Sequence, residues 1–309
     1  MLNDTGYRYY PAALSWPFAP SPTGPLHFGS LVAAIGSYLE AKSCRGEWLV
    51  RIENIDSPRE VPGAAKEILD TLEALGMEWD GEVVYQDQRH EAYQAALAVL
   101  EQRSMVYPCT CSRKEIADSG IIHREAGAYP GTCRAGLSDY RNSASLRVRT
   151  HDDPIEFKDT LLGPVRQQLT STTGDFVLRR ADGIYTYQLA VVVDDAAQGI
   201  THVVRGSDLL DSTPRQIYLQ HLLGYSTPTY MHLPLVTNTQ GEKLSKQTRA
   251  AAIDLSNPVA QLVSALEFLG QNPPAEMVES SLASLWQWSL ANWSLQRIPL
   301  SPLCSANEE

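Results

Sequence analysis

Nowhere in these 309 residues is there an apolar run long enough to cross a bilayer, which takes about 20 apolar positions in a row. The N-terminus shows no basic stretch followed by an apolar one, so no secretory signal is read there. No internal repeat and no low-complexity tract is visible. Positive charge is in short supply. Lys and Arg number 25 against 36 Asp and Glu, a formal net charge of −11. That balance argues against a protein that coats nucleic acid nonspecifically. Cysteine is scarce and odd in number, with five in all. An odd count in a chain without an export signal disfavours a disulfide framework. The expectation is a soluble, cytoplasmic protein, long enough for one large or two small domains with a proper core.

The charge is uneven. Residues 103–180 hold 12 Lys and Arg against 9 Asp and Glu, whereas the rest of the chain holds 13 against 27. A mildly basic middle on an acidic body is compatible with a local, shape-specific RNA contact, and equally with an ordinary uneven surface.

Two short segments about 215 residues apart carry most of the chemistry. The first runs Ala19-Pro20-Ser21-Pro22-Thr23-Gly24-Pro25-Leu26-His27-Phe28-Gly29-Ser30. Apolar Leu14, Phe18 and Ala19 read as the end of a buried strand. Pro20, Pro22, Gly24 and Pro25 break regular structure, and Leu31, Val32, Ile35, Tyr38 and Leu39 then recur at helical spacing. Strand, tight loop and helix together aim a helix N-terminus at a ligand, where free N–H groups and the macrodipole favour an anion such as phosphate. His27 is placed to donate to a phosphate oxygen, and Gly29 lets the backbone approach a purine or ribose. The competing reading is a proline-rich turn with His27 as a helix cap. The second segment is Lys243-Leu244-Ser245-Lys246-Gln247, on a loop after Asn238, Gln240 and Gly241. Two lysines on such a loop can close over a triphosphate, or can simply be solvated.

Three of the cysteines fall within 25 residues, as Cys109-Thr110-Cys111 and Tyr129-Pro130-Gly131-Thr132-Cys133. A close pair plus a third thiol suits a tetrahedral zinc site lacking one ligand, and general ligand chemistry makes His123 the fourth. Free buried thiols are the alternative. Trp48-Leu49-Val50-Arg51-Ile52 reads as a buried strand that delivers Glu53 and Asp56 at its C-terminal end, where open α/β sheets bind ligands. Pro62 to Gly76 reads as a helix with proline in its first turn and glycine past its end. Tyr185 to Asp195 has an apolar centre and reads as a strand or helix entering the core.

Taken together and in this order, the two segments resemble the ATP-handling motifs of class I aminoacyl-tRNA synthetases. The resemblance is closest to the glutamyl branch, and within it to the short glutamyl-queuosine tRNA(Asp) synthetases. It implies an α/β fold with a Rossmann-like nucleotide-binding domain. Its first half would span residues 10–105 and its second half 181–240, around a zinc-bearing insertion at 106–180. The stretch 241–309 would hold the lysine loop and a mostly helical tail, with no anticodon-binding domain, since only 63 residues follow Lys246. The ATP-binding residues implied are His27, Gly29, Ser30, Lys243, Ser245 and Lys246, with His27 and Lys246 catalytic. Lys246 would stabilise charge that grows on the phosphoryl oxygens. The glutamate-binding residues implied are Pro17, Phe18, Ala19, Pro20, Ser21, Glu53, Tyr187 and Arg205. Glu53 would receive the α-ammonium, and Arg205 suits an acidic side chain as a forked donor. The metal ligands implied are Cys109, Cys111, Tyr129 and Cys133, so that Tyr129 competes with His123 for one structural zinc.

Three departures stand out. His-Phe-Gly-Ser lacks the second histidine of the commonest family form. Asn54 replaces the usual aspartate of Arg-Ile-Glu-Asp. Pro17 replaces the arginine of Arg-Phe-Ala-Pro-Ser, which helps to hold glutamate. The activity implied is tRNA-independent formation of glutamyl-adenylate from L-glutamate and ATP with Mg²⁺. Transfer of glutamate to the queuosine of tRNA(Asp) would follow, by a protein expected to be a monomer. The alternatives are a truncated glutamyl-tRNA synthetase charging a tRNA 3′ end, and a non-catalytic tRNA- or amino-acid-binding paralogue, which Pro17 motivates.

Overall fold

Short apolar runs rich in β-branched and aromatic residues form the central sheet. Trp16 and Phe18 in β1 (Ser15–Phe18) stand level with Trp48 and Val50 in β2 (Glu47–Ile52), in parallel register. All four side chains are buried, as the two-sided covering of a parallel sheet requires. Beyond β2 lies β3 (Val84–Tyr85), also parallel. On the other side β9 (His202–Gly206) lies beside β1 and pairs in parallel with β10 (Thr229–Leu233). The junction between the halves is made by Ser15 N–H donating to Thr201 Oγ1 at 2.9 Å and Thr201 N–H donating to the Ser15 carbonyl at 3.2 Å. The computed structural model describes residues 13–118, 128–137, 143–237, 251–300 and 303–304; Lys243, Ser245, Lys246 and His123 lie outside them.

Helix α1 (Phe28–Ser43) crosses from β1 to β2. Nine of its residues are buried, on more than one face, because it is sandwiched between the sheet and two C-terminal helices, α8 (Pro258–Phe268) and α9 (Leu282–Asn292). Gly36 makes this possible. A Cβ there would sit 2.4 Å from Leu233 Cδ1 of β10, so any larger residue would force the Leu233 side chain to move. Trp286 of α9 donates its indole N–H to the Leu75 carbonyl at 2.9 Å, and Trp293 donates to Glu40 Oε2 at 2.8 Å. These bonds tie the tail to the first half of the chain. Helix α2 (Ala64–Ala74) begins two residues later than the proline pattern predicts. Pro62 precedes it in a turn closed by Ala64 N–H on the Val61 carbonyl. Among the described residues no helix is long and apolar enough to cross a membrane.

The middle of the chain is built differently. An antiparallel sheet is formed by β4 (Val106–Cys109), β5 (Ser145–Val148) and β8 (Val177–Arg179). A hairpin of β6 (Ile155–Asp159) and β7 (Gly163–Gln167) extends from it and leans on β10. The chain then re-enters the core through α6 (Tyr187–Ala197). This is the helical outcome of the ambiguous apolar run Tyr185–Asp195, in which Leu189 to Asp195 are all buried. It packs on α3 (His90–Gln102) and α7 (Thr213–Leu223).

Candidate active site

A cavity of about 620 Å³ opens where β1, β2, β9 and β10 end. Among its lining residues are Pro17, Phe18, Ala19, Pro20, Ser21, His27, Gly29, Ser30, Glu53, Tyr187 and Arg205. Every described residue that the sequence assigns to ATP or to glutamate therefore meets in one space. The cavity has a helix end, an acidic wall and a cationic wall.

The helix end is the start of α1. His27 is its N-cap, with Nδ1 accepting from Ser30 N–H at 3.2 Å. Capping and ligand binding are therefore compatible rather than alternatives. With Nδ1 acting as acceptor, the neutral ring carries its proton on Nε2, which lies 3.2 Å from Ser30 Oγ. The helix is 16 residues long, so its N-terminal dipole is fully developed for an anion in the cavity.

The acidic wall comes from β2 and α6. Arg51 is buried with three carboxylates around it: Asp195 at 2.8 Å, Glu53 at 3.5 Å and Asp194 at 4.0 Å. Gln198 accepts from its Nη1 at 2.6 Å. Burial opposes the charge on Arg51, but the three carboxylates outweigh it and hold the guanidinium protonated. Asp194 is shared with Arg89 at 2.6 Å, Tyr93 at 2.8 Å and Gln86 at 2.9 Å, so its oxygens are consumed by structure. Glu53 and Asp195 are left to share one cation. Burial raises both, and the carboxylates repel each other; Asp195 keeps the shorter contact, and Glu53 is pushed up to about 7. Glu53 Oε1 and Asp195 Oδ1 both face Nη2 of Arg51, at 3.5 and 2.8 Å, and both residues line the cavity. Two carboxylates that share one guanidinium on this wall leave negative charge in excess, which suits an ammonium group. Asp195 was not singled out from sequence; the signal was a double aspartate closing the apolar run of α6.

The cationic wall is Arg205 at the end of β9. Its guanidinium bonds to Thr213 Oγ1 at 2.8 Å, His232 Nε2 at 3.2 Å, and the Tyr187 hydroxyl and Leu209 carbonyl at 3.4 Å each. Tyr187 is raised to about 12 by burial, with Arg205 opposing the shift, so its hydroxyl keeps its proton at neutral pH. Pro17 lines the cavity in the middle of β1, paired with Leu49, and offers no polar atom beyond its carbonyl.

A second cavity, of about 600 Å³, shares Ser21, Glu53, Arg59 and Tyr187 with the first. Arg113 and Arg180 line it together with Asp56 and Glu60. It adjoins the acidic wall, where an amino acid's α-carbon end would lie.

The sulfur atoms of Cys109, Cys111 and Cys133 lie within 4.8 Å of one another, away from both cavities. The Tyr129 hydroxyl is 3.3 Å from Cys109 Sγ and 3.9 Å from Cys111 Sγ, and it also accepts from Cys133 N–H at 2.8 Å. Three thiols and a phenol oxygen thus converge in the spacing a tetrahedral metal ion needs. Burial pushes the Cys111 thiol up to about 11. It opposes ionisation of Cys133 too, but the Thr110 backbone N–H and the neighbouring Tyr129 and thiol groups bring Cys133 down to about 7. These four residues pack as a small core of their own with Tyr107, in a part of the chain with few other buried apolar groups.

Residues 15–269 match the family described as tRNA synthetases class I (E and Q), catalytic domain. A glutamyl-Q tRNA(Asp) synthetase of Dechloromonas aromatica is 57% identical over 288 residues, covering 93% of this chain and 96% of that one. One of Chromobacterium violaceum is 56% identical, covering 93% and 95%. A crystal structure of a glutamate tRNA ligase from Elizabethkingia meningosepticum superposes with a TM-score of 0.79 at 24% identity. It covers 95% of this chain and 67% of that one, and so shares the fold. The chain belongs to the class I synthetase family for glutamate and glutamine and, within it, to the glutamyl-Q tRNA(Asp) synthetases.

Proposed function

We propose that this protein is a ligase that activates L-glutamate with ATP and passes it to the queuosine of tRNA(Asp). The observation that carries the reading is one cavity with paired carboxylates on one wall and an arginine on another, at the N-terminus of a helix capped by His27. Glutamate has the matching charges: an ammonium for Glu53 and Asp195, and a side-chain carboxylate for Arg205 and the Tyr187 hydroxyl. Its α-carboxylate is then turned toward the start of α1, where ATP phosphates would lie against Gly29, Ser30 and the Nε2–H of His27.

In the first step the α-carboxylate oxygen attacks the α-phosphorus and pyrophosphate leaves. The nucleophile is already an anion, so the chain supplies alignment and charge stabilisation rather than a base. Lys246, with Lys243 and Ser245, is assigned to the phosphates on the strength of the sequence pattern. Mg²⁺ would travel with ATP and share that charge. In the second step a queuosine hydroxyl attacks the acyl carbon and AMP leaves. The cavity that shares Glu53 and Tyr187 with the amino-acid site is where the acceptor would enter, with Arg113 and Arg180 available to its phosphates. One zinc ion held by Cys109, Cys111, Tyr129 and Cys133 would be structural, cross-linking the insertion that carries Arg113.

The test is ATP–pyrophosphate exchange with glutamate in the absence of tRNA, followed by transfer of labelled glutamate to tRNA(Asp) with and without queuosine. Exchange without tRNA, and label only on the queuosine-bearing RNA, is the expected result. Efficient charging of tRNA(Glu) would replace this reading with a truncated conventional synthetase. No exchange at all would leave a binding protein.

A further inference from the structure

Three arginines line the amino-acid cavity, and their charges are disposed differently. Arg51 is spent on Asp195, Glu53 and Asp194. Arg59 is exposed and paired with Asp56 at 2.6 Å. Arg205 forms no ion pair among the described residues; the four groups it bonds are a hydroxyl, a phenol, a carbonyl and an imidazole. Its charge is left for a ligand, while the plane of its guanidinium is fixed by neutral acceptors.

The imidazole among those acceptors is itself fixed. His232 Nδ1 is 2.6 Å from Asp159 Oδ2, and both side chains are fully buried. Asp159 Oδ1 accepts the backbone N–H groups of Leu161 and Leu162 at 3.0 and 2.9 Å, which stabilises it as a carboxylate. A carboxylate has no proton to give, so Nδ1 must carry the hydrogen, and Nε2 is left as a lone pair. That lone pair faces the Nε–H of Arg205 at 3.2 Å and the Thr213 hydroxyl at 3.1 Å. In the other tautomer two donors would face each other at this point. The Tyr230 ring stacks on His232, and the Arg205 guanidinium carbon lies 5.4 Å from the centre of the same ring.

We propose that Asp159 and His232 are positioning residues that hold Arg205, uncompensated and correctly turned, for the side-chain carboxylate of the amino acid. The proposal rests on the reading above that Arg205 receives that carboxylate. It makes the β6–β7 hairpin, which contributes nothing to the cavity lining, a determinant of amino-acid affinity. It also identifies how a chain with Pro17 in its first strand can present one well-oriented, uncompensated cation to glutamate.

The test uses the full-length protein in ATP–pyrophosphate exchange, with KM measured separately for glutamate and for ATP. His232→Leu removes the acceptor and should raise the glutamate KM on the order of tenfold or more, because a misturned guanidinium misplaces its remaining Nη1–H and its charge. The ATP KM should stay put. His232→Gln can place its Oε1 where Nε2 stands and should recover most of the loss. If His232→Leu is insoluble, Asp159→Asn carries the same test, since it frees the imidazole tautomer without changing volume. A glutamate KM unmoved in either variant, or equal loss in the Gln and Leu variants, overturns the positioning role and leaves the activity intact. Absence of glutamate-dependent exchange in the unmodified protein overturns the activity and this inference together.

Discussion

Arg51 and Glu53 stand two positions apart at the end of one strand with guanidinium and carboxylate 3.5 Å apart, yet Arg51 gives its nearer contact, 2.8 Å, to Asp195. Burial raises both carboxyls, and the shared cation opposes the rise at each. Asp195 is the one held by the cation, and Glu53, buried and facing two further anions, is raised to about 7.

The first prediction follows from that value. Above pH 7 Glu53 is ionised before the substrate arrives, and an ammonium meets an anion. Below pH 7 binding has to expel a proton, so glutamate affinity should fall by about tenfold per unit as the pH drops. Measured between pH 6 and 8.5, the glutamate KM of the unmodified protein should decline and then level off. Glu53→Gln should bind glutamate weakly at every pH, with the slope gone. A KM independent of pH over this range would count against Glu53 as the ammonium receptor.

Lys246→Ala should reduce adenylate formation by on the order of a hundredfold, with a much smaller change in glutamate KM, because its contact strengthens as charge develops on the phosphate. Purified mutant protein in the exchange assay gives the answer directly. An unchanged rate would remove Lys246 from the phosphate site.

For the cysteine cluster, protein purified without chelator should carry about one zinc per chain, with three sulfurs and one oxygen in X-ray absorption. Three sulfurs and one nitrogen would assign the fourth ligand to His123 instead. Gly174 offers a second check. It has φ +68°, and a Cβ there would meet the Tyr129 carbonyl oxygen at 2.3 Å. Gly174→Ala should therefore shift Tyr129, speed zinc loss to a chelator, and cost about 1 kcal/mol or more of stability. Glutamate KM should be little affected, since neither Gly174 nor Tyr129 lines the amino-acid cavity. Zinc release at the unmodified rate would dissociate Tyr129 from the metal.

The fold was legible where chain chemistry is local. Prolines and glycines after Phe18 mark the strand-to-helix turn, and the apolar spacing of Leu31, Val32, Ile35 and Leu39 marks the helix that α1 becomes. The run Tyr185–Asp195 was ambiguous because an apolar stretch buried on all sides has no period to read; packing against α3 and α7 makes it a helix. The lining of the cavity was legible mostly through motif resemblance. Asp195, Asp159 and His232 were not, because each owes its role to a partner far away in sequence. Asp159 and His232 are 73 positions apart, and nothing local marks either as more than a buried polar residue. The start of α2 was misplaced by two residues because proline is as much at home in the turn before a helix as in its first turn.

The bond between Ser15 and Thr201 spans 186 positions, and it carries a consequence for synthesis. β1 leaves the ribosome early, but the neighbour that covers its open edge is made only after the whole cysteine-bearing sheet and hairpin have been translated. At about 5–20 residues per second, that edge, with Trp16 and Phe18 on it, waits on the order of ten seconds or more for β9. Nascent chains arrested before residue 206 should be protease-sensitive and recognised by holding chaperones, and the released chain, with α8 and α9 in place, should not. The amino-acid cavity, drawn from both sides of that seam, can exist only once it has closed.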